Sequence, residues 1–256
     1  MKNKSRIVVL GNKGMLGHVV EKYFIQEGYD VKGINREDVD FNCFGELSKK
    51  VVEFRPNYVI NCAGILNTGT SLKDFGRINV ALPHFLNSFE SFKLIHISTN
   101  CVFKSIGPHE DHEVPDATDW YGLSKAMGEV SGKALTIRTS IIGPELKESG
   151  SGLFNWFIQQ KEATGYANAH WNGVTTLQLA KFVQETIEND YSGIINYCTN
   201  QPINKADLLE TIKKVYELDV TIKRVEKEGV HSSILNGLFC YKTYEEQLEE
   251  LKSWYE

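Results

Sequence analysis

The stretch Gly11-Asn12-Lys13-Gly14-Met15-Leu16-Gly17 limits what this chain can become more than any other. It lies between a short apolar run, Ile7 to Leu10, and an amphipathic stretch, Met15 to Glu27. Glycines at such a junction let the backbone turn tightly and approach a pyrophosphate, while the N-terminus of the following helix offers unpaired N–H groups to its charge. Three glycines alone are equally compatible with a plain strand-to-helix turn. Their position directly after a strand and at the start of a helix is what makes them informative.

The alternation continues down the chain. Tyr29–Ile34, Tyr58–Asn61, Lys93–Ile97 and Leu135–Arg138 read as further strands. Met15–Glu27, closed by Gly28, Gly45–Phe54, stopping before Pro56, and Asn79–Phe89 read as helices between them. With right-handed crossovers the expected fold class is α/β, a Rossmann-type doubly wound parallel sheet. After Gly143-Pro144 the pattern changes to a Gly/Ser-rich loop, Glu148 to Gly152. Helices are then predicted over Leu153–Lys161 and Leu177–Asn189, with apolar pieces at Ile194–Cys198 and Ile203–Glu217 and an acidic amphipathic helix over Tyr244–Glu256. Residues 1–143 are expected to be mainly the dinucleotide-binding domain. Residues 144–256 are expected to be mainly a smaller C-terminal substrate-binding lobe, interleaved with the last strands of the sheet.

Composition narrows the classes of partner. The formal net charge is -5 over 256 residues, with acidic and basic residues interspersed, so no concentrated positive field exists for a phosphodiester backbone. Nucleic acid is not an expected partner. The five cysteines, at 43, 62, 101, 198 and 240, are widely spaced with no CxxC pair; reduced thiols in a cytoplasmic protein are the simplest reading. No run approaches the length of a membrane span, and the basic N-terminus leads only into a short strand.

The end of the second strand bears on which dinucleotide binds, because a carboxylate there accepts the adenosine ribose hydroxyls and repels a 2′-phosphate. Here the strand ends Gly33-Ile34-Asn35-Arg36. Arg36, with Lys13 of the glycine loop, can pair with a 2′-phosphate, which favours NADPH over NADH, although both are also ordinary surface cations. Asp40-Phe41 is placed to contact the adenine. Asn61-Cys62-Ala63-Gly64, after the third strand, puts small residues where the backbone must pass a cofactor closely.

Tyr121 and Lys125 are four residues apart, hence on one face of a helix. An ammonium beside a phenol favours phenolate and lowers its pKa, which makes Tyr121 a candidate general acid for carbonyl reduction. The same spacing is common on solvated helices. The fourth strand strengthens the catalytic reading, since His96-Ile97-Ser98-Thr99-Asn100 delivers hydroxyls to a strand's carboxyl edge, where ligands bind in such sheets. His96 reads as an interior histidine. His109 and His112, among Glu110, Asp111 and Glu113, read as a solvated substrate-side loop; no metal site is expected.

Together these residues resemble the extended short-chain dehydrogenase/reductase family, and within it the dTDP-4-dehydrorhamnose reductases and similar nucleotide-sugar reductases. The resemblance rests on the glycine loop, Asn61-Cys62-Ala63-Gly64, Ile97-Ser98-Thr99-Asn100-Cys101-Val102-Phe103, Tyr121 to Lys125 with Gly128-Glu129, and Ile137-Arg138-Thr139-Ser140. It implies a catalytic triad of Thr99, Tyr121 and Lys125, with Lys125 also bonding the nicotinamide ribose. It implies hydride transfer to a sugar ketone, and relatives of this type are often homodimers. The sugar nucleotide is expected between the lobes, touched by Cys101, Phe103, Tyr121, Ser140, Asn155, Trp156 and Trp171. Trp156 can stack on a base, although its helical spacing reads as core, whereas Trp171 reads as exposed among polar neighbours. Asn100-Cys101 stands where the rhamnose-pathway reductases usually carry Asp-Tyr and the 4,6-dehydratases an Asp-Glu pair, which disfavours dehydration. Cys101 also falls near a cysteine that serves as epimerisation base in the GDP-fucose synthases, with His170 the only nearby candidate for its partner acid.

Overall fold

The structure, a computed structural model, describes residues 4–66, 71–147, 150, 152–229 and 234–256. Glu148, Ser149 and Ser151 of the expected Gly/Ser-rich loop lie outside the described residues. In chain order the first half runs β1 (Arg6–Leu10), α1 (Gly17–Gln26), β2 (Asp30–Ile34), α2 (Phe44–Glu53), β3 (Tyr58–Asn61) and α3 (Leu72–Asp74). A π-helical stretch (Phe75–Ala81) joins α3 to α4 (Leu82–Asn87), followed by β4 (Lys93–Ile97), α5 (Trp120–Met127) and β5 (Leu135–Arg138). The second half runs β6 (Ile141–Ile142), α6 (Leu153–Phe157), β7 (Glu162–Tyr166), β8 (His170–Trp171), β9 (Val174–Thr175), α7 (Thr176–Glu188) and β10 (Gly193–Thr199). It ends with β11 (Ile203–Asn204), α8 (Lys205–Val215), β12 (Thr221–Val225), β13 (Leu238–Cys240) and α9 (Tyr244–Tyr255).

Seven strands form the main sheet in the order β13-β10-β5-β4-β3-β1-β2, with every neighbouring pair parallel. The chain leaves β1 to build β2 on one side and then returns to build β3 on the other. That reversal opens a crevice at the carboxyl ends of β1 and β3, where α/β sheets bind ligands. Alternation along β1 fixes the layers. Ile7 and Val9 pack with Val19, Val20 and Phe24 of α1 and Leu179 and Val183 of α7. Val8 and Leu10 pack with Leu47 and Val51 of α2 and Leu82 and Leu86 of α4. All four β1 side chains are fully buried, each contributing roughly 1.5–3 kcal/mol. A one-residue slip would exchange the faces and misplace the glycine loop that follows.

A separate core lies beyond the carboxyl edge of the sheet, built from Phe154 and Phe157 of α6, Trp171 of β8, Leu208, Leu209 and Ile212 of α8, and Tyr244 and Leu248 of α9. Three two-stranded pairs accompany it: β7 with β12, β8 with β11, and β6 with β9. After residue 143 the chain therefore serves both bodies: α7, β10 and β13 belong to the large sheet layer, while α6, β7, α8 and β12 surround the smaller core. The helix expected over Leu153–Lys161 stops at Phe157, because the chain turns to enter β7. No helix among the described residues is long and apolar enough to cross a membrane.

Candidate active site

The glycine loop has the local geometry a pyrophosphate cradle needs. Gly11 takes φ of +77° and its N–H donates to the Ile34 carbonyl at 2.8 Å, which stitches the loop to the end of β2. A Cβ on Gly17 would stand 2.1 Å from the Gly11 carbonyl oxygen, so no side chain fits where α1 begins. That helix has no side-chain cap and no acidic residue in its first turn, leaving its positive end available to an anion. The buried Asn12 Oδ1 has no hydrogen-bond partner, while Nδ2 of the same side chain donates to Glu21 at 2.8 Å. Leu16 is core; Gly14 is exposed and Met15 half-buried. These features fit a bound dinucleotide.

The adenosine side is more mixed than its sequence suggests. Arg36 is exposed, but Lys13 is ion-paired with Glu37, a carboxylate that the strand-end reading did not weigh. Asn35 is occupied in a local turn, its amide donating to Asp38 at 2.7 Å. Asp40 is exposed and accepts from Asn42. Phe41 is buried with Leu47 and Val51 and so belongs to the core. At the end of β3, a Cβ on Gly11 would lie 3.0 Å from Ala63 N, and one on Gly64 3.9 Å from Lys125 Nζ. The glycine loop and α5 therefore meet across Cys62-Ala63-Gly64, with the Cys62 thiol pushed up to about 12 by burial.

Thr99 and Tyr121 come together at the carboxyl end of β4. Asp119 caps α5 by accepting from the Gly122 N–H at 2.9 Å. A Cβ on Gly122 would lie 2.3 Å from the Cys101 carbonyl oxygen, so only glycine lets the first turn of α5 press this closely on the turn after β4. Thr99 starts that turn, its hydroxyl accepting from the Cys101 N–H at 3.2 Å. Burial pushes the Tyr121 phenol up to about 12, with Cys101 and Asp119 acting in the same direction and a hydrogen bond to Thr99 in the opposite one.

This corrects the expectation of a phenol acidified by its neighbouring lysine. The Lys125 ammonium is turned to the sheet, where Nζ donates to the Ile97 carbonyl at 2.7 Å and stands 3.5 Å from His96 Nε2. Burial lowers Lys125 to about 8, opposed by Glu129 and Cys62. His96 is fully buried and held neutral by desolvation and by the Lys125 charge. Asn61 Oδ1 already accepts from the Ala63 N–H, so Asn61 Nδ2 is the atom 3.1 Å from His96 Nδ1. Nδ1 must then accept, and Nε2 carries the proton. His96 thus offers Lys125 a donor where an ammonium wants an acceptor, which favours the neutral amine.

The residues expected to touch substrate divide into two groups. Cys101 is half-buried, its thiol raised by burial, and it feels the charges of Asp119 and Lys205. Ser140 accepts from the Trp171 indole N–H at 2.7 Å. Asn155 is buried and ties down the preceding loop, accepting from the Glu145 N–H at 2.9 Å. Phe103 is buried, stacked on His109 with ring centroids 4.0 Å apart. The two tryptophans exchange their expected places. Trp171 is 5% exposed and Trp156 is 40% exposed, because Phe154 and Phe157 take the inward positions of α6 while Trp171 finds Ser140 and the ring of Tyr244. The solvated histidine loop is also corrected: His109 is buried, bonded to Glu113 and the Ser105 carbonyl. His170 lies exposed on β8. Among the described residues no group of three His, Cys, Asp or Glu could hold a metal ion.

The sequence reading gave several supporting residues no role, although Glu129 and Arg138 stand in its motifs. Glu129 accepts from Arg138 at 2.8 and 2.7 Å and from the Ser98 hydroxyl at 2.9 Å, locking β4, α5 and β5 together behind Thr99. Asn79, in the π-helical stretch, donates to Ser124 of α5 at 2.9 Å and to the Ile65 carbonyl at 3.0 Å; π segments often mark functional sites. Lys205 lines a cavity of about 590 Å³ with Leu153, Trp156, Thr164, Tyr166 and Lys223 among its walls. No spacing rule links these residues before the chain is folded.

Comparison with known proteins gives the family and the fold. The profile of the RmlD substrate binding domain matches residues 5–220. A Bacillus subtilis spore coat polysaccharide biosynthesis protein, SpsK, is 23% identical over 238 residues, covering 89% of this chain and 75% of the relative. The crystal structure of dTDP-4-dehydrorhamnose reductase from Bacillus anthracis in complex with NADP is similar at a TM-score of 0.85 and 20% identity, covering 99% of this chain and 100% of that one. An orthologous reductase structure from Clostridium acetobutylicum gives a TM-score of 0.83 at 20% identity, covering 98% and 99% of the two chains. At this identity the structural likenesses speak to the fold.

Proposed function

The chain belongs to the RmlD substrate binding domain family, and on that footing we propose that it is an NADPH-dependent oxidoreductase that reduces a keto group on a nucleotide-activated sugar, in the biosynthesis of cell-surface polysaccharide or related sugars. The observation that carries this reading is the placement of Thr99 and Tyr121 together, where Gly122 lets α5 press on the turn that Thr99 starts. It stands at the carboxyl end of β4, on the same mouth of the sheet as the uncapped start of α1.

The Gly11–Gly17 loop and the start of α1 would hold the pyrophosphate, Arg36 the 2′-phosphate, and Lys125 with Gly64 the nicotinamide end. When bound, NADPH supplies the hydride. Thr99 orients the sugar ketone by hydrogen bonding. Tyr121, kept protonated at neutral pH by burial, has the proton to give to the oxygen that becomes an alkoxide. Lys125, one turn further along α5 and cationic below about pH 8, stands beside Gly64, where it would bond the nicotinamide ribose and fix the ring against Tyr121. Residues 1–143 mainly serve the dinucleotide and 144–256 mainly the sugar nucleotide, and the enzyme works in the cytoplasm. Elimination of water does not fit, because Asn100-Cys101 offers no carboxylate pair. Epimerisation through Cys101 does not fit either, because burial holds the sulfur as the thiol.

The test is a screen of keto-sugar nucleotides followed by loss of the nicotinamide absorbance. NADPH should be oxidised only when a keto-sugar nucleotide is present. Tight NADPH binding without turnover across the panel would instead make the chain a dinucleotide-binding regulatory protein.

A further inference from the structure

Lys205 is a cation that the chemistry above leaves unused. It opens α8, where its N–H donates to the Ala169 carbonyl at 2.9 Å and Asn204 caps the helix by accepting from the Asp207 N–H at 2.9 Å. With the backbone fixed, the side chain runs over Trp171, Nζ standing 4.9 Å from the ring centroid. It reaches the wall of the cavity of about 590 Å³ that also displays Trp156. Neighbouring cations are compensated, Lys223 by Glu162 at 2.8 Å and Arg224 by Asp207. Lys205 makes no ion pair among the described residues.

The other titratable groups around it are few. Cys101, on the turn after β4, would act on Lys205 only when ionised; Glu162 and Tyr166 face the cavity from β7 and Lys223 from β12. Burial lowers the Lys205 ammonium to about 8. A desolvated ammonium with an aromatic face for company is costly to keep, and an anion arriving in the cavity offsets that cost with charge-assisted hydrogen bonds. Its position joins the two regions: the Trp171 ring beneath it donates to Ser140 at 2.7 Å, next to Thr139, whose carbonyl accepts from the Asn100 N–H at 3.0 Å, and the ammonium opens onto the Trp156 cavity.

We propose that Lys205 anchors the diphosphate of the sugar nucleotide, spanning the reacting ketone at Thr99 and Tyr121 and the nucleoside in the cavity between α6, β7 and α8. This rests on the nucleotide-sugar reading above and names the residue that recognises the anionic part of that substrate. It also assigns the residue a specificity role: ketones without a phosphate should gain nothing from it.

The probes are UDP, dTDP and GDP, titrated calorimetrically into NADPH-saturated enzyme, followed by the monophosphate and nucleoside of whichever binds most tightly. Lys205→Met should weaken the diphosphate roughly ten- to a hundredfold and leave the nucleoside unchanged, while Lys205→Arg keeps most of the affinity. Wild-type affinity for the diphosphate should fall between pH 7 and pH 9, and that of Lys205→Met should not. Unchanged diphosphate affinity in Lys205→Met, or equal losses for diphosphate and nucleoside, would overturn the assignment, the second outcome leaving Lys205 a structural role. NADPH oxidation with keto-sugar nucleotides, measured in parallel, separates the two levels. Turnover that survives Lys205→Met with unchanged KM removes the anchor and keeps the reductase.

Discussion

Replacing Glu129 by glutamine probes the support behind the reacting residues. Glu129 and Arg138 are almost wholly buried, at 4% and 2% side-chain exposure, and the carboxylate also accepts from Ser98. The amide keeps the shape but removes the charge and replaces one acceptor with a donor aimed at either the guanidinium or the Ser98 hydroxyl. Breaking a buried ion pair from one side costs about 3–5 kcal/mol. Arg138 retains the Asp111 and Glu113 carbonyls at 3.2 and 3.3 Å, so the loss should fall near the lower end, about 3 kcal/mol. Glu90→Gln is the matched control, because Glu90 pairs with Lys133 at 92% and 37% exposure, and an exposed pair is worth about 0–1 kcal/mol. The assay is urea unfolding of both variants and wild type. A second readout belongs to function. Glu129 opposes the burial that lowers Lys125, so Glu129→Gln should move the basic limb of the reductase pH profile to lower pH. Equal and small losses for the two variants, with an unmoved basic limb, would show that the Glu129–Arg138 pair does not support the site.

Tyr121→Phe should lower kcat by about a hundred- to ten-thousandfold while NADPH affinity, read by fluorescence titration, stays near wild type; an undiminished rate would remove Tyr121 as the acid. Gly17→Ala places a methyl 2.1 Å from the Gly11 carbonyl oxygen, so NADPH affinity should drop, and an unchanged titration would show that this loop is not the cradle. Lys125 carries a proton in both folded and unfolded states below about pH 8. From there to 10.5, its ordinary value, the unfolded chain binds protons the folded one has lost, so this group makes stability rise with pH. Urea midpoints across that window should rise less in Lys125→Met than in wild type, and parallel profiles would contradict the buried ammonium.

The large sheet was legible because its signals are local. Ile7–Leu10 and the glycines after it state their own geometry, and the β3, β4 and β5 ranges are those the apolar runs predicted. The smaller body was not, since β7, β8 and β12 are short pieces whose partners lie far away in sequence, as with Glu162–Tyr166 beside Thr221–Val225. Trp156 shows why periodicity misleads in a helix of five residues, where two phenylalanines already fill the inward face. Tyr121 and Lys125 could be named from spacing and Thr99 from the family resemblance, but their electrostatics could not. Which way the Lys125 ammonium turns depends on Ile97 and His96, and the His96 tautomer depends on an Asn61 oxygen already taken by Ala63. Lys205 had no signature at all, because it reaches the site through a fold contact with Trp171.

In the proposed reaction a hydride reaches a sugar ketone while Tyr121 supplies the proton. Its most direct test is to incubate the enzyme with NADPH carrying deuterium on the transferable face of nicotinamide C4, together with a panel of keto-sugar nucleotides, and to read the product by mass spectrometry. Incorporation of deuterium at the new carbinol carbon, abolished in Tyr121→Phe, is the predicted result. A sugar product bearing no deuterium, or no product with any keto-sugar nucleotide, would rule out this hydride transfer.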